Sequence, residues 1–507
     1  MALRRLARPR YIKEMVRSRW SSRGAGNILV GLALAGAPGC KADAEGDAEA
    51  GDTSTGEPES TTGAGSPTTG EPAAPRAVTW HQDIAPTIVG KCGGCHVAGG
   101  IAPFSLQSHA EAAPFAAAML DAVERRTMPP FLADSTAECE PRFGFEDDPR
   151  LTDDELEALR AWVEADAPEG DPKTAAPIPA PPDLALNDAD IHLKIGSEVT
   201  ISGTQDQYVC FSLDPGFTAD TWLDGLQITA GNPKIVHHVL AYVDPDGASA
   251  ALAGPEGRYP CFGGPGFGNT NLIGAWAPGS LPFEPPAEVA MRVTAGSRIV
   301  LNVHYHPTGV EERDSATSLD LRRFPGGLPK YVGVLALIGN AGSVGQGLLP
   351  GPDDPDGVPV FRIPAGATDH TEEMLLSPGH ELPELRLFGV SSHMHYVGTD
   401  MLIGVNRHTP VVGAPDQECL LQTPRWDFQW QRLYTYKASL DEVPRVHGGD
   451  ELYLRCRYNN SMSNPFVVKA LAEQGLDAPK EVTLGEATLD EMCLGVFGVA
   501  VALEDLL

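Results

Sequence analysis

The chain has 507 residues, with 68 Asp and Glu against 37 Lys and Arg, giving a formal net charge of −31 at pH 7. That length exceeds one ordinary core and predicts two or three domains. The acidity argues against a nucleic-acid partner.

Residues 1–40 run against the overall bias, with eight basic residues and one acidic residue, followed by a short apolar stretch from Ile28 to Ala35. A basic region, a short apolar region and small residues before a cleavage point read as an export signal. The stretch is too short for a transmembrane helix. Cys40, directly after small residues, resembles a bacterial lipoprotein cleavage site. Lipidation of Cys40 is therefore expected, with plain periplasmic release as the alternative, so the chain belongs in the periplasm or on the outer-membrane or cell surface. Residues 41–76 hold almost nothing apolar beyond alanine and predict a disordered acidic tether.

A compact helical segment is expected over residues 77–171. In LTDDELEALRAWVEAD, Thr152 and Glu155 have capping-box spacing, and Leu156, Leu159, Trp162 and Val163 fall on one helix face. Earlier in the segment, Cys92-Gly-Gly-Cys95-His96 has the spacing for covalent haem c attachment, two thiols for the haem vinyl groups and an imidazole for the iron. A bare C-x-x-C also suits a redox dithiol or half a zinc site, but the adjacent His and the export signal favour haem. Met128, in ERRTMPPF, is the expected sixth ligand, with His81 and His109 as competitors. The segment resembles a class I cytochrome c domain fused to bacterial oxidases and oxygenases, which implies a small all-α fold.

DPKTAAPIPAPPD marks a Pro-rich linker at residues 172–183. Beyond it, short runs rich in β-branched and aromatic residues, punctuated by Gly, Pro and Asp, predict two all-β jelly-roll or sandwich domains, at 184–345 and 346–507. Histidines recur within these runs. His237 and His238 are adjacent, and neighbouring side chains on a strand point to opposite faces, so both reach one metal only where the strand bends or ends. His304 and His306 alternate, as do His393 and His395, and an H-x-H pair on a strand directs both imidazoles to one side. Each pair taken alone also suits ordinary polar positions on a pleated face.

Together these motifs resemble the copper type II ascorbate-dependent monooxygenases, the family of the peptide-amidating hydroxylase and dopamine β-monooxygenase, over residues 185–507. VHHVL resembles the family's paired-His motif, VLNVHYHP its single-His strand, SSHMH its H-x-H motif and LDEMC its methionine motif. GAWAPGS and VHGGDELYLRCRYNN agree in order and spacing. The resemblance implies an electron-transfer copper on His237, His238 and His304. It implies a catalytic, oxygen-binding copper on His393, His395 and Met492, where the soft thioether favours Cu(I). It also implies disulfides Cys210–Cys261 and Cys456–Cys493, which fit an oxidising compartment. Cys139 and Cys419 are left over and are candidates for a pair. His306 has no ligand role by this match but stays in reserve, and Met394 belongs to the core.

The expected activity is hydroxylation of a C–H bond of a small organic substrate with O2. Electrons pass from haem to the three-His copper and then to the Met-ligated copper. The external donor is a cytochrome, a quinol-linked chain or an ascorbate-like reductant. The membrane is met only through the lipid anchor. A non-catalytic copper and haem electron-transfer protein is the alternative. In peptide-amidating members an Arg precedes the first His of H-x-H by two positions, and Asn and Tyr follow the Met ligand by two and four. Here Ser391, Leu494 and Val496 stand there. Without a cation to pair with a buried carboxylate, a peptide C-terminus is poorly held, and a less charged substrate is expected.

Overall fold

The computed structural model describes residues 76–506 except 99, 101, 180–184, 204, 279, 340–346, 352–353 and 486–488. The expectations for the leader, for Cys40 and for nearly all of the tether fall outside the described residues. The strands that matter here are β1 (Gln207–Leu213), β2 (Thr221–Thr229), β3 (Val236–Asp244), β4 (Asn271–Trp276), β5 (Val289–Val293), β6 (Arg298–Tyr305) and β7 (Tyr331–Gly339). They continue as β8 (His370–Leu376), β9 (Leu385–His393), β10 (Gly398–Asn406), β11 (Gln417–Thr423), β12 (Glu451–Tyr458) and β13 (Leu494–Ala502).

Alternation explains how these runs sort their faces. In β12 every second residue is buried, so Leu452, Leu454, Cys456 and Tyr458 face inward as the two-residue period of a strand requires. Two β-sandwiches result. In the first, Leu223, Leu226 and Ile228 of β2 meet Val239 and Val243 of β3 and Leu301 and Val303 of β6. In the second, the sheet ordered β8-β12-β10-β11 packs Met374, Leu454, Ile403 and Leu421 against Leu387 of β9 and Phe497 of β13.

A single nine-stranded sheet runs through both sandwiches. β7 pairs in parallel with β5 at Tyr331↔Val289 and Val332↔Ala290. It also pairs antiparallel with β13 along its whole length, from Tyr331↔Ala502 to Gly339↔Leu494. β13 in turn pairs with β9. The last strand of the chain is thus central, and the two halves share backbone hydrogen bonds.

The expected fold class needs correcting. The chain is mostly β-sheet with a few short helices, and among the described residues no all-α cytochrome c domain stands apart. Helices α1 (Ala85–Cys92), α2 (Ala116–Glu124) and α3 (Asp153–Glu164) do surround a small core of Trp80, Ile88, Leu159 and Trp162. The capping box on α3 is formed, with Thr152 Oγ1 accepting from Glu155 N. But residues 126–150 carry no helix and leave that core. Phe131, Leu132 and Ala133 are buried in the second sandwich, Phe145 bridges to Tyr436, and Cys139 is bonded to Cys419. The physical reason lies in the residues: short apolar pieces broken by prolines lack the 3.6-residue period that closes a helical core on itself, so they complete a neighbouring one.

Three disulfides, Cys139–Cys419, Cys210–Cys261 and Cys456–Cys493, hold the described chain and mark an oxidising, exported setting. No helix among the described residues is long and apolar enough to cross a membrane.

Candidate metal centres

His237 and His238 share a face because β3 is bulged between them. Val236 pairs with Tyr305 and His238 with His304, so His237 is the extra residue with no partner on β6. A bulge re-aims the side chain it carries, and here it turns His237 to the side of His238. Their Nδ1 atoms lie 3.2 Å apart, and His238 Nδ1 lies 3.3 Å from His304 Nδ1. Among the described residues this is the group of side chains spaced to hold a metal ion. Burial, then the neighbouring His304, pushes the His237 imidazole down to about 3, and burial drives His238 far below its ordinary value. Three imidazoles this close together, two of them kept from protonation by burial, are what a soft or borderline cation binds.

Asp206 supports this cluster from behind. Its Oδ2 lies 3.2 Å from His304 Nε2, and its Oδ1 accepts from His306 Nδ1 at 2.7 Å. The His304 contact is close but off the line of a well-formed hydrogen bond. A carboxylate on Nε2 leaves Nδ1 free for a metal. His306 spends its Nδ1 on Asp206 and faces Glu473 at 3.9 Å through Nε2.

The second set sits where β9 ends. His393 is its last residue and His395 lies just beyond, their rings 5.3 Å apart and nearly perpendicular. Met394 between them is fully buried in the core, as alternation demands. His393 Nδ1–H donates to Gln431 Oε1 at 2.6 Å, and His395 Nδ1–H to the Asp490 carbonyl at 3.0 Å. Both rings are thereby held by Nδ1, which fixes their orientation. Met492 is 3% exposed and follows Glu491, which is fully buried. Glu491 accepts from four backbone amides, those of His395 and Met492 on Oε2 and those of Val397 and Gly398 on Oε1. One carboxylate thus ties the H-x-H turn to the Met492 turn. Burial nevertheless pushes Glu491 up to about 7, against those amides.

Both sets open into one cavity of about 390 Å³, lined by His238 and His304 on one side and by His393, His395 and Met492 on the other. Its wall next to His393 is a sheet face in strict register. Leu337 of β7, Val496 of β13 and Ser391 of β9 form one cross-strand row, and Gly339, Leu494 and His393 form the next. Leu337, Val496, Ser391 and Leu494 all line the cavity. That wall is hydrocarbon with one hydroxyl, while Arg432, Glu146, Asp147 and Glu284 also line the cavity.

Three residues between β11 and Tyr434 meet the second set, and one of them, Phe428, also meets the first. Phe428 stacks on His237 with ring centres 4.8 Å apart and planes at 18°, and meets His395 edge-on at 5.8 Å. Trp426 Nε1–H donates to the His395 carbonyl at 3.1 Å, and Gln431 Nε2–H to the Phe428 carbonyl at 2.9 Å. Sequence reasoning missed these residues, as it missed Asp206, Glu491 and the carbonyl partners. The only trace in the sequence is the density of aromatic and amide side chains in RWDFQWQR, which has no period to read.

At the haem motif, Cys92 ends α1 and Cys95 and His96 lie in the turn that follows, with His96 N donating to the Cys92 carbonyl at 2.9 Å. Both thiols are unpaired, and burial pushes Cys92 up to about 11. His96 Nδ1–H donates to the Phe104 carbonyl at 3.1 Å, leaving Nε2 for an axial position. Met128 is 39% exposed. Of its competitors, His109 gives Nε2 to the Ala167 carbonyl at 2.8 Å and His81 faces Glu169 at 3.6 Å.

No family model matches the chain, and no curated protein does. Among solved structures it is similar to the major capsid protein of bacteriophage PM2, at 10% identity and a TM-score of 0.25 over 61% of this chain and 97% of that one. It is also similar to the oxalate decarboxylase of Bacillus subtilis, at 10% identity and a TM-score of 0.10 over 65% of this chain and 87% of that one. Neither likeness bears on the site.

Proposed function

We propose that the chain is a copper-dependent monooxygenase of the ascorbate-dependent type, hydroxylating a C–H bond of a neutral, largely apolar organic substrate. The observation that carries this reading is the convergence of His238, His304, His393, His395 and Met492 on one cavity from motifs spread over more than half the chain. Bound at His237, His238 and His304 and at His393, His395 and Met492, copper supplies one-electron transfer and O2 reduction, and haem on Cys92, Cys95 and His96 supplies electron entry.

The protein's own residues set up that chemistry. Asp206 lies beside the Nε2 edge of His304, whose Nδ1 faces His238, and Gln431 and the Asp490 carbonyl hold His393 and His395 by their Nδ1 atoms. Met492 offers a soft thioether suited to the reduced ion. The wall of Leu337, Leu494 and Val496 holds hydrocarbon beside His393. The external donor is a cytochrome, quinol-linked or ascorbate-like reductant, and the protein works in the periplasm or on the outer surface, anchored through Cys40.

Copper quantification on the intact protein, followed by O2 uptake with neutral and charged C–H substrates, tests this. Copper at both sites and hydroxylated product from neutral substrates is the expected result. Bound copper without product from any of them favours a non-catalytic electron carrier.

A further inference from the structure

The segment from Trp426 to Gln431 belongs to the second sandwich, yet it touches residues of both histidine sets. Phe428 is 7% exposed and packs in the second core, but its flat face lies on His237 of the first. Its edge meets His395, and its other packing partner there is Tyr396 at 4.5 Å. The carbonyl of Phe428 is held by Gln431, and the same Gln431 side chain accepts from His393 Nδ1. Trp426 donates Nε1–H to the His395 carbonyl and its backbone N–H to the Thr399 carbonyl. The Phe428 ring thus lies between His237 and His395, while its backbone carbonyl is tied through Gln431 to His393.

We infer that Phe428 and Gln431 couple the two sites, so that metal binding at either one raises the affinity of the other. The inference rests on the reading of both histidine sets as metal sites. The physical reason is preorganisation. A metal at the first site locks the His237 ring, the stacked Phe428 then keeps one orientation, and the second site loses less freedom when it binds. Linkage makes the effect reciprocal, and couplings of this kind amount to about 5–150-fold in affinity. With one stacked ring and one amide as the transmitting contacts, the low end, about fivefold, is expected. Phe428 and Gln431 are thus positioning residues that contact ligands and not the reacting atoms.

The test is anaerobic titration of the full-length protein with Cu(I) against a chromophoric chelator. The affinity of the second site is measured with the first intact and with His238→Ala, and that of the first with the second intact and with His393→Ala. Each single-site loss should weaken the remaining site by about fivefold. In a Phe428→Leu background the same removals should change nothing, while two coppers still bind and so report a folded protein. Phe428→Tyr keeps the ring and should restore the coupling. Two coppers binding independently in the unsubstituted protein, or a coupling unchanged by Phe428→Leu, overturns the inference and leaves the proposed function standing. Failure of either histidine set to bind Cu(I) at all overturns both.

Discussion

Asp206 and Glu491 show how much of each candidate centre rests on residues that are not ligands. Asp206 reaches both His304 and His306, and loss of such an outer partner costs about 10–100-fold in metal affinity. Asp206→Ala should lower Cu(I) affinity by that factor at the three-His site and leave the His393, His395 and Met492 site within twofold or so of its original value beyond any coupling, as chelator competition at each site will report. Glu491 satisfies four buried amides. Removing a buried acceptor leaves each donor with a penalty of about 1–3 kcal/mol. Glu491→Ala should therefore destabilise the protein by more than about 3 kcal/mol in denaturant unfolding. Glu491→Gln keeps one acceptor oxygen and should cost less than half of that.

At the scale of elements, the strap of residues 131–147 joins the small helical core to the second sandwich. It is held by Cys139–Cys419, by Arg142 on Glu418, which also pairs with the buried Arg407, and by Asp134 on Arg425. The disulfide closes a loop of 280 residues. Cys139→Ser with Cys419→Ser should cost about 2–5 kcal/mol, and limited proteolysis should then cut first within the strap. Burial opposes ionisation of Asp134, but the Arg425 and Arg126 guanidinium groups outweigh it and hold its carboxyl below its ordinary 3.8. A depressed carboxyl contributes stability that is present above its unfolded-state pKa and is lost as pH falls through the folded-state one. Acidification below about pH 4 should thus loosen the strap in the unsubstituted protein. In Asp134→Asn that step of the acid-unfolding curve should be missing, with lower stability at neutral pH.

For the whole molecule, the shared nine-stranded sheet makes the two sandwiches one cooperative body around the cavity, because β7 and β13 bond across the halves. Cys92 packs against the small core of Trp80, Ile88, Leu159 and Trp162, away from the residues that line the cavity. Cys92→Ala with Cys95→Ala should therefore abolish covalent haem, read from the pyridine haemochrome spectrum, while copper content and the three disulfides stay unchanged. Loss of copper in that variant would mean that the strap transmits folding defects into the sandwiches.

Local features of this protein were legible in the sequence because their signals are local. The β texture, the capping box of α3, the need for an irregularity at His237 and the opposite facing of Met394 all follow from strand and helix periods and neighbouring residue types. The two histidine sets were legible as spacing and as a family resemblance. Their meeting in one cavity was not, since it depends on β13 inserting between β7 and β9 from the far end of the chain. The strap was read as part of an all-α domain because nothing in Phe131-Leu132-Ala133 says which core it completes. Asp206, Phe428 and Gln431 act across loops, where no period constrains which side chain meets which. Residue order determined the chemistry available at each motif; long-range strand pairing and loop packing decided which motifs share a site, because those contacts depend on the shape of the assembled sheets.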